Sequence, residues 1–342
     1  MTRTLKERDN SIDILRFIGL SSIILAHIAP PNTLFQLRTF DVPLMVFISG
    51  LAYAGRTING YGDFLKRRLS RLITPVYIFL CCYFLFNFIL AQLGAVQQTP
   101  LSEIAGSFGL LLFPSIGYVW VIRVFLIIML LTPLLILLER QVKSNWSFIC
   151  LIATLFVVQY LVTEVITFPH SQIVTVVGIY IFYLAYSIPF LVGLRLRSAP
   201  KKSQWLLVLI LVIAFGSMST YLYITQGDWL IMQNYKYPPQ PYFLLWGTLI
   251  SSLLWVTKEW WQRLFEWKWV LFIAQNTIWI YLWHIPIVNI TMKYLADAGW
   301  FTRFIVVYGL ALFIFYLQSR LIDYIDKRGG DKNGFIKRYF KG

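Results

Sequence analysis

The chain has 342 residues, 58% of them hydrophobic and 13% charged, with a formal net charge of +15 and a mean hydropathy of +0.67. A soluble domain carries about 25% charged residues, so the composition excludes a separate soluble domain. The apolar runs are continuous and do not alternate with period two, which sets aside a β-barrel. The sequence therefore predicts an all-α, polytopic membrane protein: one transmembrane domain over residues 1–342, with short cytoplasmic tails at about 1–10 and 323–342.

Ten spans are predicted, over 11–29, 42–56, 73–93, 118–138, 146–166, 173–194, 204–225, 242–257, 269–291 and 302–322. The second and eighth fall short of the roughly 20 apolar residues that cross a bilayer and need tilt or neighbours to fit. Arg3, Lys6 and Arg8 lead into the first span. It lacks an A-x-A-like cleavage site and is followed by Pro30 and Pro31, so it is expected to be a retained helix and not a signal peptide.

The first span, SIDILRFIGLSSIILAHIAPP, keeps Arg16 and His27. Eleven helical steps turn about 1100°, within about 20° of the starting direction, and rise roughly 16 Å. Both residues thus share one face, and Asp13 stands three residues before Arg16, where it can pair with it. Ionisable groups facing lipid are costly, so this face should look into the bundle or a polar cavity. Snorkelling for Arg16 and a helix-end role for His27 are the plainer alternatives.

Further along, the stretch GDFLKRRLSRLITP places Lys66, Arg67, Arg68 and Arg71 among Phe64, Leu65, Leu69, Leu72 and Ile73. Such a stretch is either an interfacial helix held by headgroups or a cytoplasmic site for a phosphorylated ligand. Arg123 is a second arginine within a span. Cys81, Cys82 and Cys150 lie in apolar runs without metal-ligand spacing and are expected to be small buried side chains. The outer loops, including QGDWLIMQNYKYPPQPY, are aromatic-rich, as an interfacial belt or a carbohydrate-stacking rim would be.

Orientation follows from the basic residues. With the N-terminus in the cytoplasm, 24 Lys and Arg fall on inside segments and four outside, namely Arg38, Lys236, Lys293 and Arg303. This asymmetry puts both termini inside and accounts for the basic balance through anionic lipid headgroups, without nucleic acid.

Arg16, ten intervening residues and His27 resemble the R-x10-H signature of the acyltransferase-3 family of integral membrane acyltransferases. Other segments follow in that family's order. VPLMVFISGLAY at 42–53 resembles its second-helix motif, and KRRLSRLITPVY at 66–77 its basic stretch before a proline-started third helix. YVWVIRVFLIIMLLTPLL at 118–135 and NTIWIYLWHIPI at 276–287 are similar to two later motifs. The resemblance covers residues 11–325, and Met45 and Thr74 stand where the family often has aromatics. Because the chain ends soon after the tenth span, the extra extracytoplasmic domain of some relatives is not expected.

The resemblance implies transfer of an acyl group, usually acetyl, from acetyl-CoA as co-substrate to a hydroxyl of a cell-surface polysaccharide or lipid-linked sugar, without a metal, in a bacterial cytoplasmic membrane. A sugar hydroxyl is a weak nucleophile and needs a base, a task an imidazole suits. His27 is the expected base, with transient acyl carriage left open. Asp41 is expected to hold the imidazole tautomer, unless it only favours its own helix N-terminus. His284 is a further candidate; His170 and Glu164 are weaker ones. Arg16, Lys66, Arg67, Arg68, Arg71 and Arg123 are the expected donor-binding residues. Ser49 and Gly50 read as a close helix contact. The main rival is a transporter or flippase of a glycan or lipid-linked intermediate, which ten spans and intramembrane arginines also fit. A glycosyltransferase or ligase acting on a polyprenyl-linked sugar would need a carboxylate pair or an anchored diphosphate site, and acids within the spans are nearly absent.

Overall fold

The computed structural model describes residues 9–58, 60–94, 97–109, 118, 120–164, 178, 181–331 and 334–341. His170 and the start of the sixth predicted span lie outside them. Among the described residues the chain forms helices and turns and no strand. In chain order the helices are α1 (Asn10–Ala26), α2 (Asn32–Leu37), α3 (Asp41–Tyr53), α4 (Tyr61–Gln92), α5 (Leu101–Phe108), α6 (Trp120–Gln141), α7 (Asn145–Glu164), α8 (Ser187–Ser198) and α9 (Lys201–Gln226). They continue with α10 (Pro241–Val256), α11 (Lys258–Phe265), α12 (Lys268–Gln275), α13 (Thr277–Tyr294), α14 (Trp300–Lys327) and α15 (Phe335–Phe340).

Asp9 starts α1 by accepting the Ser11 amide at 3.0 Å, which satisfies one orphan donor of the first turn. The helix stops at His27, because Ala29 takes a positive φ of 49° ahead of Pro30 and a residue before proline is barred from the helical region. A short 3-10 turn, Arg38–Phe40, joins α2 to α3, so the expected second span becomes one 22-residue run, Asn32–Tyr53.

At the centre of the bundle α3 crosses α8 with its backbone almost touching. A Cβ on Gly50 would stand 2.1 Å from the Phe190 carbonyl oxygen, and one on Gly193 would stand 2.2 Å from that of Phe47. Only glycine permits this approach, and the Ser-Gly pair of the VPLMVFISGLAY segment thereby acts in packing. Around this crossing α1 packs on α3 and α12, α10 on α3 and α9, and α13 on α14.

Among the described residues six helical runs are long and apolar enough to cross a membrane: Asn32–Tyr53, α4, α6, α7, α9 and α14. Large apolar side chains such as Leu85, Phe86, Ile89, Val157, Ile213 and Phe313 stand exposed on them, a surface that suits lipid and not water. The shorter helices α1, α8 and α10 are enclosed by the others and need no lipid-facing belt of their own.

Three sequence expectations change. The basic stretch and the third span are not separate elements; α4 runs 32 residues without interruption through Pro75. The ninth span is broken into α12 and α13, which meet at 83° about Asn276. There the Asn276 side chain donates to the Phe272 carbonyl at 2.6 Å, supplying a partner for a carbonyl freed at the break. The cysteines are exposed and free, not buried: Cys81 and Cys82 on α4 and Cys150 on α7 face outward from rim helices, where a small apolar side chain meets lipid as readily as a core.

Candidate active site

His27 follows the last residue of α1, and His284 lies fully buried in the second turn of α13. Their rings stack with centroids 5.1 Å apart, and His27 Nδ1 is 3.0 Å from His284 Nε2. His284 Nδ1 in turn meets the carbonyl oxygen of Tyr281. A carbonyl can only accept, so Nδ1 of His284 carries the hydrogen, and its neutral ring presents a lone pair at Nε2. Hence His27 Nδ1–H donates to His284, and the lone pair of His27 Nε2 remains for a substrate proton. Tyr118 packs edge-on against His27 at 4.9 Å, and the Tyr281 hydroxyl donates to the Tyr118 carbonyl.

The side chain that His27 meets is thus His284 and not Asp41. Asp41 occupies the first turn of α3 at the same end of the bundle, but its carboxylate is taken up elsewhere. It accepts from Arg38 at 2.8 Å, from Lys236 at 3.3 Å and from the Val42 amide at 2.7 Å. Asp41, Arg38 and Lys236 are 2%, 4% and 4% exposed.

Two segments far apart in sequence deliver this cluster. Gln36 on α2 accepts the Gln233 amide at 2.8 Å, and the Gln233 side chain accepts from Arg38 at 3.0 Å. The Trp246 indole on α10 donates to the Leu37 carbonyl at 3.1 Å and fixes the 3-10 turn that carries Arg38. Lys236 follows a second 3-10 turn, Met232–Tyr235, and its ammonium lies 5.4 Å from the Trp120 ring centroid. Burial draws the Lys236 ammonium down to about 8, while the Asp41 carboxylate holds it up against the Arg38 charge.

His27, Arg38, Asp41, Lys236, Gln233 and Tyr281 line one cavity of about 120 Å³, together with apolar and aromatic side chains that include Phe35 and Trp120. Ordinary ligand pockets hold about 300–1,000 Å³, so the space beside these groups is small.

The other expected residues divide between the two ends of the bundle. Arg16 is bound to Asp13 at 2.7 Å, as its spacing predicts, and lies about 16 Å along α1 from His27. At the far end from His27, the Arg68 guanidinium sits over the Tyr53 ring at 5.1 Å, and Lys66, Arg67 and Arg71 lie on the same first half of α4. Arg71 lines a cleft of about 290 Å³ with Gly334, Lys337 and Arg338. Arg123 belongs to the opposite end: it is one turn beyond Trp120 of the His27 cavity, whereas Arg140 near the other end of α6 reaches the Arg56 carbonyl. Glu164 is the exposed last residue of α7.

Sequence reasoning missed Arg38, Lys236, Gln233 and Tyr281 as site residues. A signal for two of them existed. In a chain whose basic residues are overwhelmingly on one side, each of the four left on the other side needs a reason, and Arg38 and Lys236 are two of those four.

A family model described as an acyltransferase domain, Acyl_transf_3, matches residues 9–320. No significant match is found among curated proteins or among solved structures.

Proposed function

The chain belongs to the acyltransferase-3 family and is a multi-pass membrane acyltransferase, and from this we propose that it moves an acetyl group from cytoplasmic acetyl-CoA to a hydroxyl of a cell-surface polysaccharide or lipid-linked sugar. The observation that carries the proposal is the His27–His284–Tyr281 chain, which leaves one imidazole nitrogen unprotonated beside a small cavity. His27 Nε2 is the general base for the acceptor hydroxyl. His284 is a positioning residue that fixes the His27 tautomer, as a carboxylate does in a triad.

The donor's phosphates suit the other end. The first half of α4 and the cleft of Arg71, Lys337 and Arg338 present a cluster of cations, although Lys337 also pairs with Asp326 at 3.0 Å and lies near Asp323 and Asp331. Guanidinium groups fork onto phosphate and remain charged. Arg16 lies between this surface and His27 and would guide the thioester arm. Arg123, from its place near the His27 cavity, would act toward the reacting end. Ten passes with both termini in the cytoplasm, in a bacterial cytoplasmic membrane, fit the six long runs, the bent α12–α13 pair, α1, α8 and α10.

The test uses purified protein in nanodiscs. CoA and acetyl-CoA should raise the thermal transition, acetyl-CoA should be hydrolysed slowly, and labelled acetyl should pass to envelope glycans. Glycan movement across vesicles without any thioester, together with no thermal shift, would instead identify a transporter.

A further inference from the structure

The cluster beside His27 carries an electrostatic imbalance. Arg38 and Lys236 share a single carboxylate, Asp41, and all three are at most 4% exposed. One positive charge is therefore in excess in a buried site, and an uncompensated buried charge is costly. The cluster also has donors to spare. Nε–H of Arg38 is buried without a hydrogen-bond acceptor among the described residues. The Lys236 ammonium has three hydrogens, and among the described residues its one hydrogen-bonding partner is Asp41, at 3.3 and 3.5 Å. Both side chains line the cavity that holds His27.

We propose that Lys236, supported by Arg38, forms the oxyanion site of the acyl transfer: spare positive charge aimed at the thioester carbonyl oxygen as it becomes negative. This inference rests on the acyl-transfer reading above. As the acceptor oxygen attacks the carbonyl carbon, its proton passes to His27 Nε2, a C–O bond forms, and the C=O π pair moves onto oxygen. Lys236 and Arg38 hold that charge. Collapse restores the carbonyl, breaks the C–S bond, and returns the proton from His27 to the departing sulfur, giving ester and free CoA thiol. Asp41 is then a positioning residue that holds two like charges together until the oxyanion arrives. The space beside the cations, which His27 also lines, accommodates an acetyl-sized group.

The test needs no knowledge of the acceptor, since water serves. Acetyl-CoA hydrolysis is measured in nanodiscs for the native chain, His27→Ala, Lys236→Met and Lys236→Arg, with thermal unfolding in parallel. Lys236→Met is expected to lower kcat roughly 100- to 1,000-fold with KM and the CoA-induced thermal shift unchanged, and Lys236→Arg to restore most of the rate. Unchanged kcat in Lys236→Met, whatever sugar the site recognises, overturns the proposal. So does a fall in kcat that follows a loss of folded protein and is not rescued by arginine. Native hydrolysis that survives His27→Ala, or no hydrolysis at all, refutes the acyl-transfer reading itself, and the inference with it.

Discussion

The two ends of the bundle hold charge in opposite ways. At the His27 end, Arg38, Lys236 and Asp41 are buried and locked by hydrogen bonds of 2.8–3.3 Å. At the other end some ion pairs are open to solvent: the Lys201 and Glu259 side chains are 71% and 61% exposed, and those of Lys337 and Asp326 57% and 36%, whereas Arg195 and Glu139 are 15% and 16% exposed. Buried charges interact strongly and are costly to leave unpaired, whereas exposed pairs contribute about 0–1 kcal/mol and are screened by salt. The first arrangement suits chemistry, which needs fixed dipoles. The second suits capture of a mobile, polyphosphorylated donor.

This contrast can be broken at its strong end first. His27→Ala should cut hydrolysis by about 100- to 10,000-fold, followed by release of free CoA thiol. Asp41→Asn should leave two buried cations facing each other and destabilise the protein by about 3–5 kcal/mol, read from thermal unfolding in nanodiscs. Gly50→Ala, which forces a methyl against the Phe190 carbonyl, should cost about 1–3 kcal/mol by the same measurement.

At the weak end the effects shrink. Lys66→Ala or Arg67→Ala should raise the KM for acetyl-CoA by less than about fivefold, the equivalent of an exposed pair, with kcat unchanged. Raising salt well above 0.15 M, where the Debye length is about 8 Å, should mimic both. The smallest effect concerns Asp9, which caps α1 and meets Arg197. Burial raises its carboxyl, but Arg197 and Lys258 outweigh this and hold it below the ordinary range. Its contribution is present above the unfolded carboxylate pKa and is lost as pH falls through the lower, folded one. Asp9→Ala should cost about 1 kcal/mol at neutral pH and little in acid, as pH-dependent unfolding would register.

The rim of the fold was legible in the sequence and much of the centre was not. α4, α6, α7, α9 and α14 are each long and apolar enough to cross a membrane, so apolar run length alone reveals them. α1, α8 and α10 sit among other helices, where length and polarity are free to vary. The bend at Asn276 was hidden because α12 and α13 together read as one apolar run. In the site, Arg16, Asp13 and His27 were readable because they share one helix and helical geometry fixes their spacing. The pairing of His27 with His284 spans 257 residues, and the salt bridge of Lys236 with Asp41 spans 195. Such contacts come from tertiary packing and leave no local periodic signal.

The most direct measurement sets Arg16→Ala and His27→Ala side by side in one preparation, each followed for CoA-induced thermal stabilisation and for acetyl-CoA hydrolysis. A two-ended site predicts that Arg16→Ala weakens the stabilisation, whereas His27→Ala keeps it and loses hydrolysis. Hydrolysis that persists in His27→Ala, or donor stabilisation indifferent to Arg16, would contradict the account.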